Sequence, residues 1–341
     1  PLPSRFRVII ANSRIGPKSV PQFPDNPDAV VLLPPVRGRL RDRTLRRGLS
    51  QGRLEKLRAP VDPLAEVLRV LGREYPSASL AALRMWGQTG DRPRAWIAAA
   101  DPVYMEPQLD RLFLHVLGPG DVSKPELRLL FDALQAALGG DGSFGFARLG
   151  SCGYIRSEQP MVTSAVPAAL LNGQNPGGSL PAADVAADTL NLISEIEMTL
   201  HAQPVNAERQ SRGQPPVNSL WLWGGGYAPE QSRVPVPPLY TDEPLLRGYW
   251  ESISGEVGGW PGTIGACLDA APAGFVASVS PGEGGDAMLG NELAAVRDAL
   301  RAGRLRRVVL VAADGLCATL HRSDRFRVWR RIAPLLEDPA A

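Results

Sequence analysis

The sequence predicts an α/β protein: a mostly parallel sheet covered by helices on both faces. Two observations predict it. Strand-like and helix-like segments alternate along most of the chain, the order that builds βαβ units. Several strand-like runs, among them residues 29–33 and most of 307–313, are apolar nearly throughout. Strands buried on both faces read that way, whereas half-exposed strands alternate.

Residues 7–11 and 29–33 read as short strands around a Pro-rich loop at 16–27. The block 37–58 carries nine Arg and Lys against Asp42 and Glu55. Its leucines (Leu40, Leu45, Leu49, Leu54, Leu57) recur at roughly helical spacing, so a solvated helical face is expected, with docking to an acidic partner or RNA as the alternative. Asp62 as N-cap and Pro63 in the first turn predict a helix over 63–71. A further helix fits 78–85, and 95–100 is an apolar strand ending at Asp101-Pro102, with a second strand at 112–116. Ser123 caps a helix over 125–138 that Gly139-Gly140 stops. Two strand-like pieces fill 144–155, and 172–181 is a polar Gly/Pro loop.

Val185, Thr189, Ile193, Ile196 and Leu200 form one apolar stripe on a helix over 182–202, ended by Pro204. After a polar link at 206–216, Val217 to Trp223 is a buried strand that leads into Gly224, Gly225 and Gly226. A helix at 244–252, a turn region at 258–265 and a strand at 275–279 follow. Next come a helix at 287–302 stopped by Gly303, a strand at 307–313 ending at Asp314-Gly315, its hairpin partner at 316–320, and a basic, aromatic helix at 324–331. The link near 204–216 is the expected division between an N-terminal α/β region (1–204) and a C-terminal one (205–341), one continuous domain being the alternative.

Composition narrows the function. Lys and Arg total 37 against 35 Asp and Glu, a net charge of +2 that argues against a general nucleic-acid binder. No apolar run of about 18 residues exists, so no membrane span is expected. The first residues show no signal-peptide pattern. Cys152, Cys267 and Cys317 are scattered without a CxxC, which suits a reducing cytoplasm and speaks against zinc. Only His115, His201 and His321 supply imidazole.

The candidate ligand-binding residues are Asp101, Trp221, Trp223, Gly224, Gly225, Gly226 and Asp314. Asp101 and Asp314 each follow an apolar run, where open α/β sheets bind ligands. Each also fits an Asx-turn before Pro102 or Gly315. Trp221 and Trp223 share one strand face, as core or as an aromatic floor. The glycines suit either a backbone nest for an anion or a sharp strand exit. A shared site requires both aspartates and the glycines at one carboxyl edge. Glu197 and His201, four apart on a helix, make either a surface pair or half of a metal site.

The segment Glu195 to Asn206, continuing through Pro216-Val217-Asn218-Ser219-Leu220-Trp221-Leu222-Trp223-Gly224-Gly225-Gly226, resembles the bacterial family typified by the regulator of pathogenicity factors E. Three further segments agree: Ala99-Ala100-Asp101-Pro102-Val103 with Asp110-Arg111-Leu112; Tyr240-Thr241-Asp242-Glu243-Pro244-Leu245; and Val311-Ala312-Ala313-Asp314-Gly315 with Val328-Trp329-Arg330-Arg331. Where the family commonly has His after Asp-Pro-Val, this chain has Tyr104. The resemblance implies a bacterial, cytoplasmic protein related to cofactor-independent phosphoglycerate mutases, with a degenerate alkaline-phosphatase-like core. Such mutases use a nucleophilic Ser and two divalent metals held by Asp and His. They place a carboxylate at the end of the first strand, where this chain reads Ile10-Ala11-Asn12-Ser13. Thr241-Asp242-Glu243-Pro244 is the nearest thing to their late acidic cluster, with no His beside it. A non-catalytic regulatory or interaction protein is therefore expected, binding a small anionic ligand or an unknown protein partner. No cofactor is expected. A divalent metal belongs only to the alternative, a metal-dependent phosphoryl-transfer enzyme.

Overall fold

A computed structural model of the chain describes residues 28–109, 111–140, 142–182, 186–280 and 285–336. The strand at 7–11, the loop at 16–27, the segment Ile10 to Ser13, Asp110 and Val185 lie outside these residues.

The chain opens with β1 Ala29–Leu33, α1 Arg43–Gln51, β2 Arg53–Lys56, α2 Pro63–Val70 and α3 Leu80–Thr89. It continues through β3 Trp96–Gln108, β4 Arg111–Val116, α4 Lys124–Leu138, β5 Phe144–Leu149, β6 Cys152–Ser157, α5 Ala187–His201 and α6 Pro204–Ser211. Then follow β7 Ser219–Gly226, β8 Leu239–Tyr240, α7 Pro244–Ser252, β9 Val257–Gly258 and α8 Ile264–Ala270. The last elements are β10 Phe275–Ser278, α9 Gly285–Ala302, β11 Arg307–Ala312 and β12 Leu316–His321.

Seven strands form one sheet in the order β2-β12-β11-β1-β10-β8-β9. The five from β11 to β9 run parallel; β12 and β2 pair antiparallel at the edge. The second sheet has five strands, and all its pairings are antiparallel. Here β6 and β4 lie end to end along one side of β3, β7 lies along the other, and β5 flanks β6. The expectation of a mostly parallel sheet holds for the first sheet and fails for the second. The reason is connection length: β5 and β6 are joined by Gly150 and Ser151 alone, with Gly150 at φ +62. A link that short makes a hairpin and leaves no room for a crossover helix. Each sheet draws strands from both sides of residue 204.

Side chains of β1 explain the layering. Ala29, Val31 and Leu33 pack into a cluster with α1, α8 and α9. Val30 and Leu32 face the other way, into a cluster shared with α2, α3 and α7. That middle cluster continues to Trp221 and Trp223 of β7, so the two sheets share one helical layer between them. The outer face of the second sheet packs on α4 and α5 through Leu130, Leu134, Ile196 and Leu200. In the middle layer α3 and α7 cross at Gly87 and Gly248. A Cβ on Gly248 would strike the Leu83 carbonyl, and one on Gly87 the Pro244 carbonyl.

Several capping readings hold. Asp62 accepts the Ala65 amide at the start of α2, and Ser123 with Glu126 forms a capping box on α4. Three readings need correction. Pro204 does not merely end α5; it occupies the first turn of α6, where its missing N–H costs nothing. The turn region 258–265 ends in α8, capped by Thr263. The helix expected at 324–331 is only a short helical turn, Arg322–Phe326.

Candidate functional site

The strand expected to stop at Asp101-Pro102 runs on to Gln108, so Asp101 lies in mid-strand and not at an edge. Pro102 is tolerated for a local reason. Its carbonyl accepts the Leu117 amide on the side where β6 has ended at Ala99 and β4 begins at Val103. The missing N–H of Pro102 falls in that gap, where no ladder partner waits.

The carboxylate of Asp101 is fully engaged. Both of its oxygens meet Arg84, at 2.9 Å from Nη1 and 2.9 Å from Nη2. Oδ2 also accepts from Trp223 Nε1 at 2.7 Å. Arg84 is 7% exposed and donates further to the Tyr154 hydroxyl and the Gly153 carbonyl, each at 3.0 Å. Its guanidinium lies 4.7 Å from the Tyr154 ring centroid and 5.0 Å from that of Trp223. Burial disfavours the Arg84 charge, yet Asp101 beside it outweighs that and raises its pKa above the ordinary value. Sequence reading missed Arg84. Its signal was a lone Arg within the apolar run Leu80 to Trp86, a position that demands a buried counter-charge.

Trp221 and Trp223 are both core residues, 2% and 3% exposed. Trp221 Nε1 donates to the Val166 carbonyl at 2.9 Å. The three glycines continue β7 and do not form its exit. They let α3 sit directly on the strand: a Cβ at Gly224 would stand 3.0 Å from Ala81 N, and one at Gly226 would collide with Ser79. Gly224 N–H donates to the Ser164 carbonyl and Gly225 N–H to Thr163 Oγ1. With those amides taken, the turn is not a preformed anion nest.

Asp314 sits in the other sheet, at the carboxyl end of β11. The single edge expected to gather Asp101, Asp314 and the glycines is therefore not formed. Asp314 Oδ2 accepts the amides of Val36 (2.8 Å) and Arg37 (2.6 Å), and Oδ1 that of Leu316 (3.3 Å). It thus combines an Asx-turn with a clamp on the loop after β1. Beyond β8, Asp242 accepts from Ser280 Oγ (3.0 Å) and the Trp260 amide (3.3 Å). Glu243 caps α7 through the amides of Leu245 and Leu246. At this edge Nε and Nη2 of Arg37 are buried without an acceptor among the described residues.

The histidines are dispersed. His115 bonds Glu106 at 2.8 Å and stacks on Tyr104, the residue after Asp101-Pro102-Val103, with centroids 6.0 Å apart. His201 is exposed on α5 with Glu197, and His321 ends β12. Among the described residues, no three His, Cys, Asp or Glu side chains are grouped so as to hold a metal. Burial pushes the Cys267 thiol up to about 12 and raises that of Cys317, so neither is a thiolate nucleophile at neutral pH. No helix among the described residues is long and apolar enough to cross a membrane.

Over part of its length the chain is similar to 2,3-bisphosphoglycerate-independent phosphoglycerate mutases. A probable enzyme of that kind from Geobacter sulfurreducens is 28% identical over 140 residues, covering 38% of this chain and 33% of the relative. The mutase of Methanosarcina barkeri is 27% identical over 113 residues, 33% of this chain and 28% of its own. The chain thus spans about a third of the length of the curated relatives it matches. No family model matches. Among solved structures, a cofactor-independent phosphoglycerate mutase from Thermoplasma acidophilum is 16% identical, covers 86% of this chain and 89% of its own, and has a TM-score of 0.40. A protein of Pyrococcus horikoshii is 12% identical, covers 87% of each chain and has a TM-score of 0.48.

Proposed function

We propose that this chain is a non-catalytic regulatory or interaction protein on a phosphoglycerate mutase-like fold, and that it binds a small anionic ligand. One observation carries the reading. The carboxylates that a two-metal site would need are already occupied by the chain's own donors. Asp314 holds three backbone amides, Asp242 holds Ser280 and Trp260, Glu243 caps a helix, and Asp101 is locked to Arg84. Pulling Asp101, Asp314 or Glu243 onto a metal would leave buried or part-buried donors without a partner. The buried Nε and Nη2 of Arg37, without an acceptor among the described residues, support the anion: such a guanidinium at the carboxyl edge is completed by a carboxylate or phosphate. The finer likeness to the regulator of pathogenicity factors E, and a place in the bacterial cytoplasm, belong to this proposal.

The sequence matches favour a second reading, a metal-dependent phosphoryl-transfer enzyme resembling the 2,3-bisphosphoglycerate-independent mutases. Elemental analysis of the purified protein separates the two. The first reading expects well under one equivalent of Mn, Co or Zn per chain; near two equivalents sinks it.

A further inference from the structure

A cavity of about 130 Å³ lies between α1, α9 and β12, away from the carboxyl edge. Its floor is Leu45, Leu49, Leu293, Leu300, Leu310 and Leu320, all buried. Its rim is basic: Arg47, Arg297, Arg301, Arg322 and Arg325. Among the described residues only Arg297 of these has a carboxylate partner, Asp298; Arg47 and Arg325 donate to the carbonyls of Val328 and Arg301. Asp324, the lining acid, is already tied to Arg327 and to the His321 amide. The cavity therefore presents apolar walls beneath an uncompensated positive rim.

Size and charge together select an occupant. A cavity of roughly 150 Å³ lined by aliphatic and aromatic side chains takes up benzene and stays dry without it. A space slightly smaller, capped by guanidinium groups, suits one ring or a short branched chain with a single anionic head. We propose that this cavity binds a small aryl carboxylate, its ring among the leucines and its carboxylate among the rim arginines. The planar fork of Arg matches a carboxylate in two parallel hydrogen bonds. Phosphate alone satisfies the rim and leaves the floor empty. A neutral ring fills the floor and leaves the rim's field unanswered. This rests on the reading of the chain as a binder of small anions, and it names a class and a place for one.

Gly48 provides a clean test. It lies within α1 and lines the cavity, and a Cβ built on it meets nothing within 4 Å. Gly48→Leu fills the cavity from a helical position that accepts a side chain. Titration calorimetry of the full chain with benzoate is expected to give one saturable site. Benzyl alcohol, its neutral counterpart, should bind about tenfold more weakly or worse, the worth of one charge-assisted hydrogen bond. Gly48→Leu should abolish benzoate binding while keeping the thermal midpoint at or above that of the unchanged protein. Arg301→Gln with Arg322→Gln should weaken benzoate and leave benzyl alcohol unchanged. No saturable benzoate heat, or full binding by the Gly48→Leu protein, overturns the site. Inorganic phosphate runs as a separate arm. Phosphate binding that persists while benzoate fails removes this cavity and leaves the small-anion reading standing; failure of both removes both.

Discussion

Replacing Asp101 by Ala should destabilise the protein severely without touching any exposed surface. The substitution strands three donors at once: Nη1 and Nη2 of Arg84 and Nε1 of Trp223. Two of them belong to a guanidinium that is 7% exposed and cannot turn to water. Removing one partner of a buried ion pair costs about 3–5 kcal/mol, because the other charge stays buried and unanswered. In a chain of this size that corresponds to a fall in thermal midpoint of roughly 4–7 °C. The double variant Asp101→Leu/Arg84→Met should recover most of the loss, since both charges leave together and the remaining shapes are apolar. Differential scanning calorimetry on the two single variants and the double completes a thermodynamic cycle. If Asp101→Ala melts within about 2 °C of the parent, the carboxylate is not structural and a ligand role for it returns.

Four further outcomes follow from the same geometry. Gly48→Ala, in mid-helix with open space around its Cβ, should stabilise by about 0.5–1 kcal/mol in urea denaturation. Gly248→Ala should cost about 1–3 kcal/mol or more, because its methyl meets the Leu83 carbonyl where α3 and α7 cross. Trp221→Ala should cost about 3–5 kcal/mol, read as a lowered denaturant midpoint with unchanged slope. Glu292 is 4% exposed; burial raises its pKa above 4.5 more than its bond from the Ile264 amide lowers it. The folded state then holds the proton more tightly than the unfolded one, so stability falls as pH rises through the raised pKa and stays lower above it. Glu292→Gln should therefore be more stable than the parent at neutral pH, and the difference should vanish below about 4.5.

Local chemistry made much of the fold legible. Asp62-Pro63 and Ser123 announced α2 and α4 because a capping side chain acts within one turn of its own residue. The apolar runs of β1 and of β11 after Arg307 announced strands buried on both faces. Pairing was less legible. Leu220 to Trp223 reads as a buried strand whichever partner it takes, and only long-range contact with β3 makes it antiparallel. Pro102 signalled a strand end, yet the sheet placed it at the gap between two partners. The glycines 224–226 suggested space for a ligand. That space is filled by the start of α3, more than 130 positions away in sequence and invisible to any local pattern. Asp101 and Asp314 stood out in the sequence as acids following apolar runs, but their partners, Arg84 and the amides of Val36 and Arg37, are set by tertiary structure alone.

Phosphorus NMR of the purified protein with 3-phosphoglycerate and added Mn²⁺ or Co²⁺ tests directly whether the chain carries out mutase chemistry. With its strand-end carboxylates occupied by its own amides and hydroxyls, the chain should leave the 3-phosphoglycerate signal unchanged over hours. A growing 2-phosphoglycerate signal that disappears on chelation of the metal contradicts the non-catalytic reading.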